Sequence, residues 1–346
     1  MKERAIIFGS SARLVGIVTA PARATAKQDA PALIVLNSGL LHRVGAGRLS
    51  VRVIRALAEE GYYGKRFDFS GLGDSDNRTD GMPFEKRCIA EAREAMDYVA
   101  DKHGIGQFVL MGLCSGADIA FETAVADSRV VGLIQIDPFA YRTPKFYLHY
   151  TSYLVRQHGP KLFRPTEWWR VANKFGGPVV RKLLGKQTLG ERYPNLIESP
   201  FQREIPPKAY VAARLQELVG RGTRVFNVFT GGMRDQYNHQ SQYFDCFREI
   251  DFAGRLTTRY LPDADHTLEA LDLQERFIAD LRSWFQSLPL TPAAGSVAEN
   301  AERKSWWQRL HDAKYAARRA SLSITGNDFT NSGRAAKSAE GFTAQT

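Results

Sequence analysis

Phe108-Val-Leu-Met-Gly-Leu-Cys114-Ser-Gly-Ala-Asp118 is the stretch on which the fold turns: an apolar run enters Gly-x-Cys-x-Gly and leaves into small, helix-compatible residues. A strand that turns abruptly into a helix has no room for side chains around its apex, so Gly112 and Gly116 flank a single raised residue, Cys114. This is a nucleophile elbow with sulfur in place of the usual oxygen. The helix that follows offers backbone N–H groups and a positive dipole end, which favour a thiolate and the oxyanion formed after its attack. Ser115 is a competing nucleophile, but it stands one residue off the glycine frame, where its side chain points away from the apex.

Outward from the elbow the chain alternates. Ala5–Phe8 and Leu14–Thr19 read as an opening antiparallel pair, and Ala32–Asn37 as a strand buried on both faces. A helix over Val53, Ile54, Leu57 and Ala58 ends at Gly61, followed by a strand at Lys65–Phe69, a helix at Glu85–Ala100 and a strand at Gln107–Met111. After the elbow come strands at Val130–Ile136, Arg224–Thr230 and Leu256–Leu261, a helix from about Gln240 to Ile250, and a closing helix over Leu268–Leu288. Such order predicts an α/β fold, a mostly parallel central sheet flanked by helices under right-handed crossovers. The expected organisation is core at 1–138, a basic, aromatic helical cap at 139–215, core again at 216–288, and a basic tail at 289–346 carrying one short amphipathic helix.

Charge is regional. Phe139 to Arg214 holds fourteen Lys/Arg against four Asp/Glu, a surplus equal to the net charge of +10 for all 346 residues. No nucleic-acid recognition motif accompanies it, so the expected partners are an anionic acyl substrate or an anionic lipid surface, not nucleic acid. Arg142, Lys145, Arg156, Lys161, Arg164 and Arg170 interleave with Tyr147, Tyr153, Trp168 and Trp169, and the tail repeats the theme from Lys304 to Tyr315. The opening apolar run is too short for a signal peptide and no run reaches membrane-spanning length, which leads to an expected cytoplasmic location, peripheral at the inner membrane face if the basic segments bind lipid. Cys88, Cys114 and Cys246 are odd in number and irregular in spacing, so neither a disulfide framework nor a zinc site is implied. Cys88 and Cys246 read as small apolar core residues.

A thiol nucleophile needs a base and an orienter for that base. His266, between the last strand and last helix, is the expected base; His239 and His42 also follow strands but are weaker candidates. The acid is expected after the preceding strand, at Asp235 in Thr230-Gly-Gly-Met-Arg-Asp235, which makes the chain order Cys114, Asp235, His266. Asp137, ending the strand Ile134-Gln-Ile, is the alternative acid; Asp263 and Asp265 lie too close to His266 in sequence to face its ring. The oxyanion hole calls for two converging N–H groups, read as those of Ser115 and of Leu40, with Gly39 letting the backbone approach. His42 and Arg43 are candidates for binding an acid group of the substrate. Phe69-Ser-Gly-Leu-Gly-Asp74 reads as a tight turn in which Asp74 satisfies backbone amides.

Together these residues resemble the α/β-hydrolase superfamily over about residues 1–288. Asn37-Ser-Gly-Leu-Leu-His-Arg-Val-Gly, Arg66-Phe-Asp-Phe-Ser-Gly-Leu-Gly-Asp-Ser and Gly112-Leu-Cys-Ser-Gly are similar to the exosortase-associated hydrolases, bacterial proteins linked with exopolysaccharide biosynthesis. The resemblance implies hydrolysis of ester, thioester or amide bonds with neither metal nor organic cofactor. Sulfur at the elbow, shared with the dienelactone hydrolases, shifts the expectation from peptides towards activated esters, lactones and thioesters. Transfer of the acyl group to a saccharide hydroxyl, or a catalytically idle fold serving as scaffold in polysaccharide assembly, are the alternatives.

Overall fold

The computed structural model describes residues 1–27, 29–162, 203 and 205–289. Eight strands form one sheet in the order β1-β2-β4-β3-β5-β6-β7-β8. They are β1 (Lys2–Phe8), β2 (Leu14–Ala20), β3 (Ala32–Val35), β4 (Gly64–Phe67), β5 (Phe108–Leu113), β6 (Val130–Ile136), β7 (Arg224–Thr230) and β8 (Leu256–Leu261). β1 pairs antiparallel with β2 and β2 with β4, while every pairing from β4 to β8 is parallel. The principal helices are α1 (Leu49–Glu59), α2 (Phe84–His103), α3 (Ser115–Ala126), α4 (Pro144–Leu162), α5 (Lys208–Gly220), α6 (Gln242–Cys246) and α7 (Leu271–Gln286).

Residue alternation along the central strands divides the core into two layers. Ala32 and Ile34 of β3, with Phe108 and Leu110 of β5, pack into the layer that holds Met96, Phe121 and Leu215 from α2, α3 and α5. Leu33, Val35, Val109 and Met111 face the opposite layer, with Val53 and Leu57 of α1 and Phe277, Leu281 and Phe285 of α7. Both faces of β3 and β5 are buried, which is why these strands carry no polar alternation. A parallel sheet with helices on both faces, an antiparallel entry pair and the β4–β3–β5 crossover at its centre is the α/β-hydrolase fold.

The strand readings hold to within a few residues, and two helical ones change. Only Gln242–Cys246 of the expected Gln240–Ile250 helix is α-helical. Helix α5 begins within the stretch read as cap, yet it buries Val211, Leu215 and Leu218 in the core as the crossover between β6 and β7. The opening helix of that stretch, α4, rests on the segment after β7: Asn238 Nδ2 donates to the Phe146 carbonyl at 3.0 Å, and the His149 and His239 rings stack at 4.8 Å. The rest of the expected cap, with Trp168 and Trp169, and the tail from residue 290 lie outside the described residues. Among the described residues no helix is long and apolar enough to cross a membrane.

Lys65 is a charged residue within the core. Lys65 of β4 is fully buried, with Nζ 3.2 Å from the centre of the Phe8 ring and 4.5 Å from that of Tyr98, and donates one hydrogen bond, to the Ala95 carbonyl at 3.2 Å. Burial drives its ammonium well below the ordinary lysine range. Lys65→Met keeps the length and removes the desolvated amine, so the variant is expected to gain about 1–3 kcal/mol in chemical denaturation at neutral pH. Loss of stability in that assay would show that the amine and its aromatic surround hold the fold.

Candidate active site

The elbow is built by close approach. Cys114 stands between β5 and α3 at φ 52, ψ −117, a conformation that costs a non-glycine residue roughly 1–3 kcal/mol and persists only where its surroundings enforce it. Its N–H donates to the Ile136 carbonyl at 2.9 Å, and its carbonyl accepts from Ala117 at 2.9 Å and Asp118 at 3.2 Å. A Cβ on Gly112 would fall 2.1 Å from the Gly116 carbonyl, and one on Gly116 2.4 Å from the Asn37 carbonyl oxygen. The two glycines therefore touch each other and the oxyanion loop, and the strained Cys114 side chain is left partly open to solvent.

His266 follows β8 and meets the sulfur. Its Nδ1 lies 2.7 Å from Oδ2 of Asp137, which leaves Nε2 for the hydrogen bond it shares with Cys114. Asp137, itself at φ 50 and only 2 % exposed, is held on every side. Its N–H donates to the Val228 carbonyl at 2.8 Å; Oδ1 accepts the Thr230 N–H and Oδ2 the Thr230 hydroxyl, both at 2.7 Å. The carboxylate thus sits at the end of β6, braced by the end of β7.

Asp235, the first-choice acid, is not at this position. It is exposed beyond the turn, and its carbonyl accepts from Arg142 Nε at 3.0 Å. The glycines that precede Asp235 serve another contact. A Cβ on Gly231 would fall 1.8 Å from the Pro262 carbonyl oxygen and one on Gly232 2.4 Å from the His266 N, so the Gly-Gly turn is the floor on which the histidine loop lies. Asp137, the alternative acid, is the residue against the ring. His239 is taken up by other partners, buried between Asn238 and Asp245.

The pair of Asp137 and Cys114 raises His266 to about 10, against an ordinary 6.5, in spite of partial burial. A histidine raised on folding contributes stability that is whole below 6.5 and lost as the pH climbs through 10. Denaturant titrations between pH 6.5 and 10 are therefore expected to show a decline that is absent from His266→Gln; parallel curves for the two proteins would refute the coupling.

The loop expected to supply the second oxyanion donor meets the elbow directly: the Gly39 N–H donates to Ser115 Oγ at 2.8 Å, with Gly39 at φ 50. Ser115 thus ties the loop to the helix N-terminus. Its own N–H is among the first of α3, where no intrahelical acceptor exists. Leu40 is 70 % exposed and its N–H finds no acceptor among the described residues.

A clasp that the sequence reading assigned differently supports this loop. Of the two residues read as substrate binders, Arg43 is largely covered and engaged by carboxylates, while His42 is exposed at the edge of the same cluster. The Arg43 guanidinium bonds Asp68 and, at 2.6 Å, Asp74, and His42 lies 3.4 Å from Asp68. It is Asp68, not Asp74, that collects backbone amides, from Arg43 at 2.6 Å and Asp74 at 3.4 Å. Asn37 completes the clasp, donating to the Leu41 carbonyl at 2.7 Å and accepting the Phe69 N–H at 3.0 Å. His42, Asp68 and Asp74 bring potential metal ligands within 4.8 Å of one another, but the guanidinium already bonds both carboxylates. Cys88 and Cys246 are buried with thiols pushed above their ordinary value by desolvation, and Cys246 donates to the Tyr141 carbonyl at 2.9 Å.

No family model matches the sequence, and no curated protein matches it. Among solved structures, the chain is similar to a Xanthomonas campestris protein described as an a/b serine hydrolase without lid, at 16% identity and TM-score 0.47 over 83% of this chain and 97% of that one. A proline iminopeptidase of Mycobacterium smegmatis is similar at 18% identity and TM-score 0.47, covering 82% and 98%. A putative hydrolase of Agrobacterium vitis S4 gives 19% and 0.48, with 82% and 98% covered. The α/β-hydrolase assignment rests on the strand order and pairing of this chain itself.

Proposed function

We propose that this protein is a hydrolase of ester or thioester bonds that works through Cys114, His266 and Asp137. The observation that carries the reading is the strained Cys114 beside an imidazole whose far nitrogen is held at 2.7 Å by a buried carboxylate. In the reaction, Nε2 of His266 receives the thiol proton and the sulfur attacks the acyl carbon. The carbonyl oxygen gathers negative charge against the N–H groups of Leu40 and Ser115. Collapse expels the alcohol or thiol, protonated by His266, and leaves an acyl-thioester on Cys114. Water, giving its proton to the same nitrogen, releases the acid and restores the thiol. Sulfur favours activated acyl groups, since a thiolate is itself a good leaving group and an amide nitrogen a poor one.

The substrate belongs, on this reading, to the acyl chemistry of bacterial exopolysaccharide assembly, supported by the three motifs at Asn37, Arg66 and Gly112. Incubation with a panel of activated esters and acyl-thioesters, followed by mass analysis of the elbow peptide, should show an acyl adduct on Cys114. Product that accumulates on an added saccharide in place of free acid would make the enzyme an acyltransferase. No adduct and no turnover with any member of the panel would reject the catalytic reading in favour of a scaffold.

An anionic membrane surface is proposed as a second partner on charge alone. Of the residues behind it, Arg142 lies over the Phe146 ring and Lys145 donates to Ser241 at 2.9 Å, while Arg156 and Tyr147 of α4 are exposed; Arg164 and Arg170 lie outside the described residues.

A further inference from the structure

Arg203 joins two parts of the site that the triad does not itself connect. Its Nε and Nη2 donate to the two carboxylate oxygens of Asp118, at 2.7 and 2.5 Å, and its Nη1 donates to the carbonyl oxygen of Asp137 at 2.9 Å. Asp118 lies in the first turn of α3, four residues after the nucleophile, and donates its own N–H to the Cys114 carbonyl. Its side chain is 3 % exposed and that of Arg203 16 %, with the guanidinium 4.9 Å from the centre of the Phe139 ring. Burying such a pair is costly, and an apolar pair of equal volume would often be as stable or more so. The fork geometry of arginine, able to bond one carboxylate bidentately and reach a third acceptor, explains why this residue type stands here.

We propose that Arg203 is a positioning residue of the active site, clamping the first turn behind Cys114 to the backbone of Asp137 and setting a fixed cation beside the triad. The inference rests on Cys114 being the nucleophile. The charged groups of this cluster are then His266 and Asp137, and Arg203 with Asp118, joined where Arg203 reaches the Asp137 carbonyl. Arg203 interacts electrostatically with both Cys114 and Asp137, in keeping with this placement. Burial raises Asp118 to about 6 against the pull of Arg203, so the pair is formally neutral above that pH and its balance responds to a change in either member.

The two members of the pair make opposite predictions, which a packing role would not. The readout is the pH profile of Cys114 alkylation by iodoacetamide, followed by mass analysis of the elbow peptide; it needs no substrate. Arg203→Gln should slow alkylation at pH 6–7 by about three- to tenfold, since loss of a nearby cation disfavours the thiolate. Asp118→Asn should speed it at the same pH, because the cation is left uncompensated. Arg203→Lys keeps the charge but loses the fork, so its profile should stay near that of the parent while turnover of an activated ester falls about tenfold. Should Arg203→Gln fail to unfold cooperatively, Asp118→Asn and Arg203→Lys decide. Shifts in the same direction for the two charge-removing variants, unmoved profiles, or full turnover in Arg203→Lys would overturn the proposal. Failure of the esterase reading would appear separately, as turnover that survives loss of Cys114 or as absence of turnover in the parent.

Discussion

Cys114→Ala is expected to abolish turnover of every activated ester the parent accepts, with the thermal midpoint unchanged or raised. The first half follows from the elbow, where Gly112 and Gly116 are pressed against each other and Asn37 so that one side chain alone stands at the apex. Removing a nucleophile leaves only the rate enhancement of binding and oxyanion stabilisation, so the loss should be on the order of 10⁴-fold or more. The second half follows from what alanine keeps. At φ 52 it retains the backbone conformation and its hydrogen bonds, and it gives up only a partly buried sulfur at the core edge and that atom's bond to His266. Turnover within tenfold of the parent would end the thiol mechanism and point to Ser115. That hydroxyl, however, accepts the Gly39 N–H at 2.8 Å, away from the histidine. Cys114→Ser tests the same assignment from the other side: the hydroxyl retains the geometry but must be deprotonated during attack, so activity reduced but well above that of Cys114→Ala is expected.

The strands and the nucleophile were legible because each depends on local pattern. A strand buried on both faces is apolar throughout, and β3 and β5 are; a strand-to-helix apex needs glycine on both sides, and Cys114 has it. His266 was legible for a similar reason, as a histidine in the turn closing the last parallel strand. The acid was harder, because two strands in succession end near the same edge and each is followed by an aspartate. What separates them is tertiary. Thr230, the last residue of β7, donates both its N–H and its hydroxyl to Asp137, and the glycines after it carry the histidine loop. A polar, β-branched residue closing the Val-Phe end of β7 was the available signal. The Arg43–Asp68 clasp and the Arg203–Asp118 clamp join residues 25 and 85 positions apart, and no periodicity reports such pairs. The readings on Trp168, Trp169 and the tail lie outside the described residues.

Asp137→Asn is expected to lower turnover by about 10³- to 10⁴-fold, and Asp235→Asn to leave it within about twofold of the parent. An asparagine at 137 can still accept from Thr230 through its carbonyl, so the backbone end of β6 keeps its place. Its amide then either donates towards Nδ1 of His266, which fixes the neutral ring with its proton on the nitrogen that should receive the thiol proton, or turns away and leaves the ring unheld. Both outcomes also remove the negative charge that raises His266, so the imidazolium formed during attack loses its counter-ion. The defect should therefore fall on kcat more than on KM, and the pH at which activity rises should move, since the base is no longer the same base. Asp235 offers none of this: it is exposed, and the contact the structure gives it, a carbonyl accepting from Arg142, survives the substitution. Kinetics of the two variants on one soluble ester decide between the aspartates. A severe loss in Asp235→Asn with a mild one in Asp137→Asn would mean that the functional acid swings in from the β7 turn, and that the 2.7 Å contact between Asp137 and His266 is not the one used in turnover.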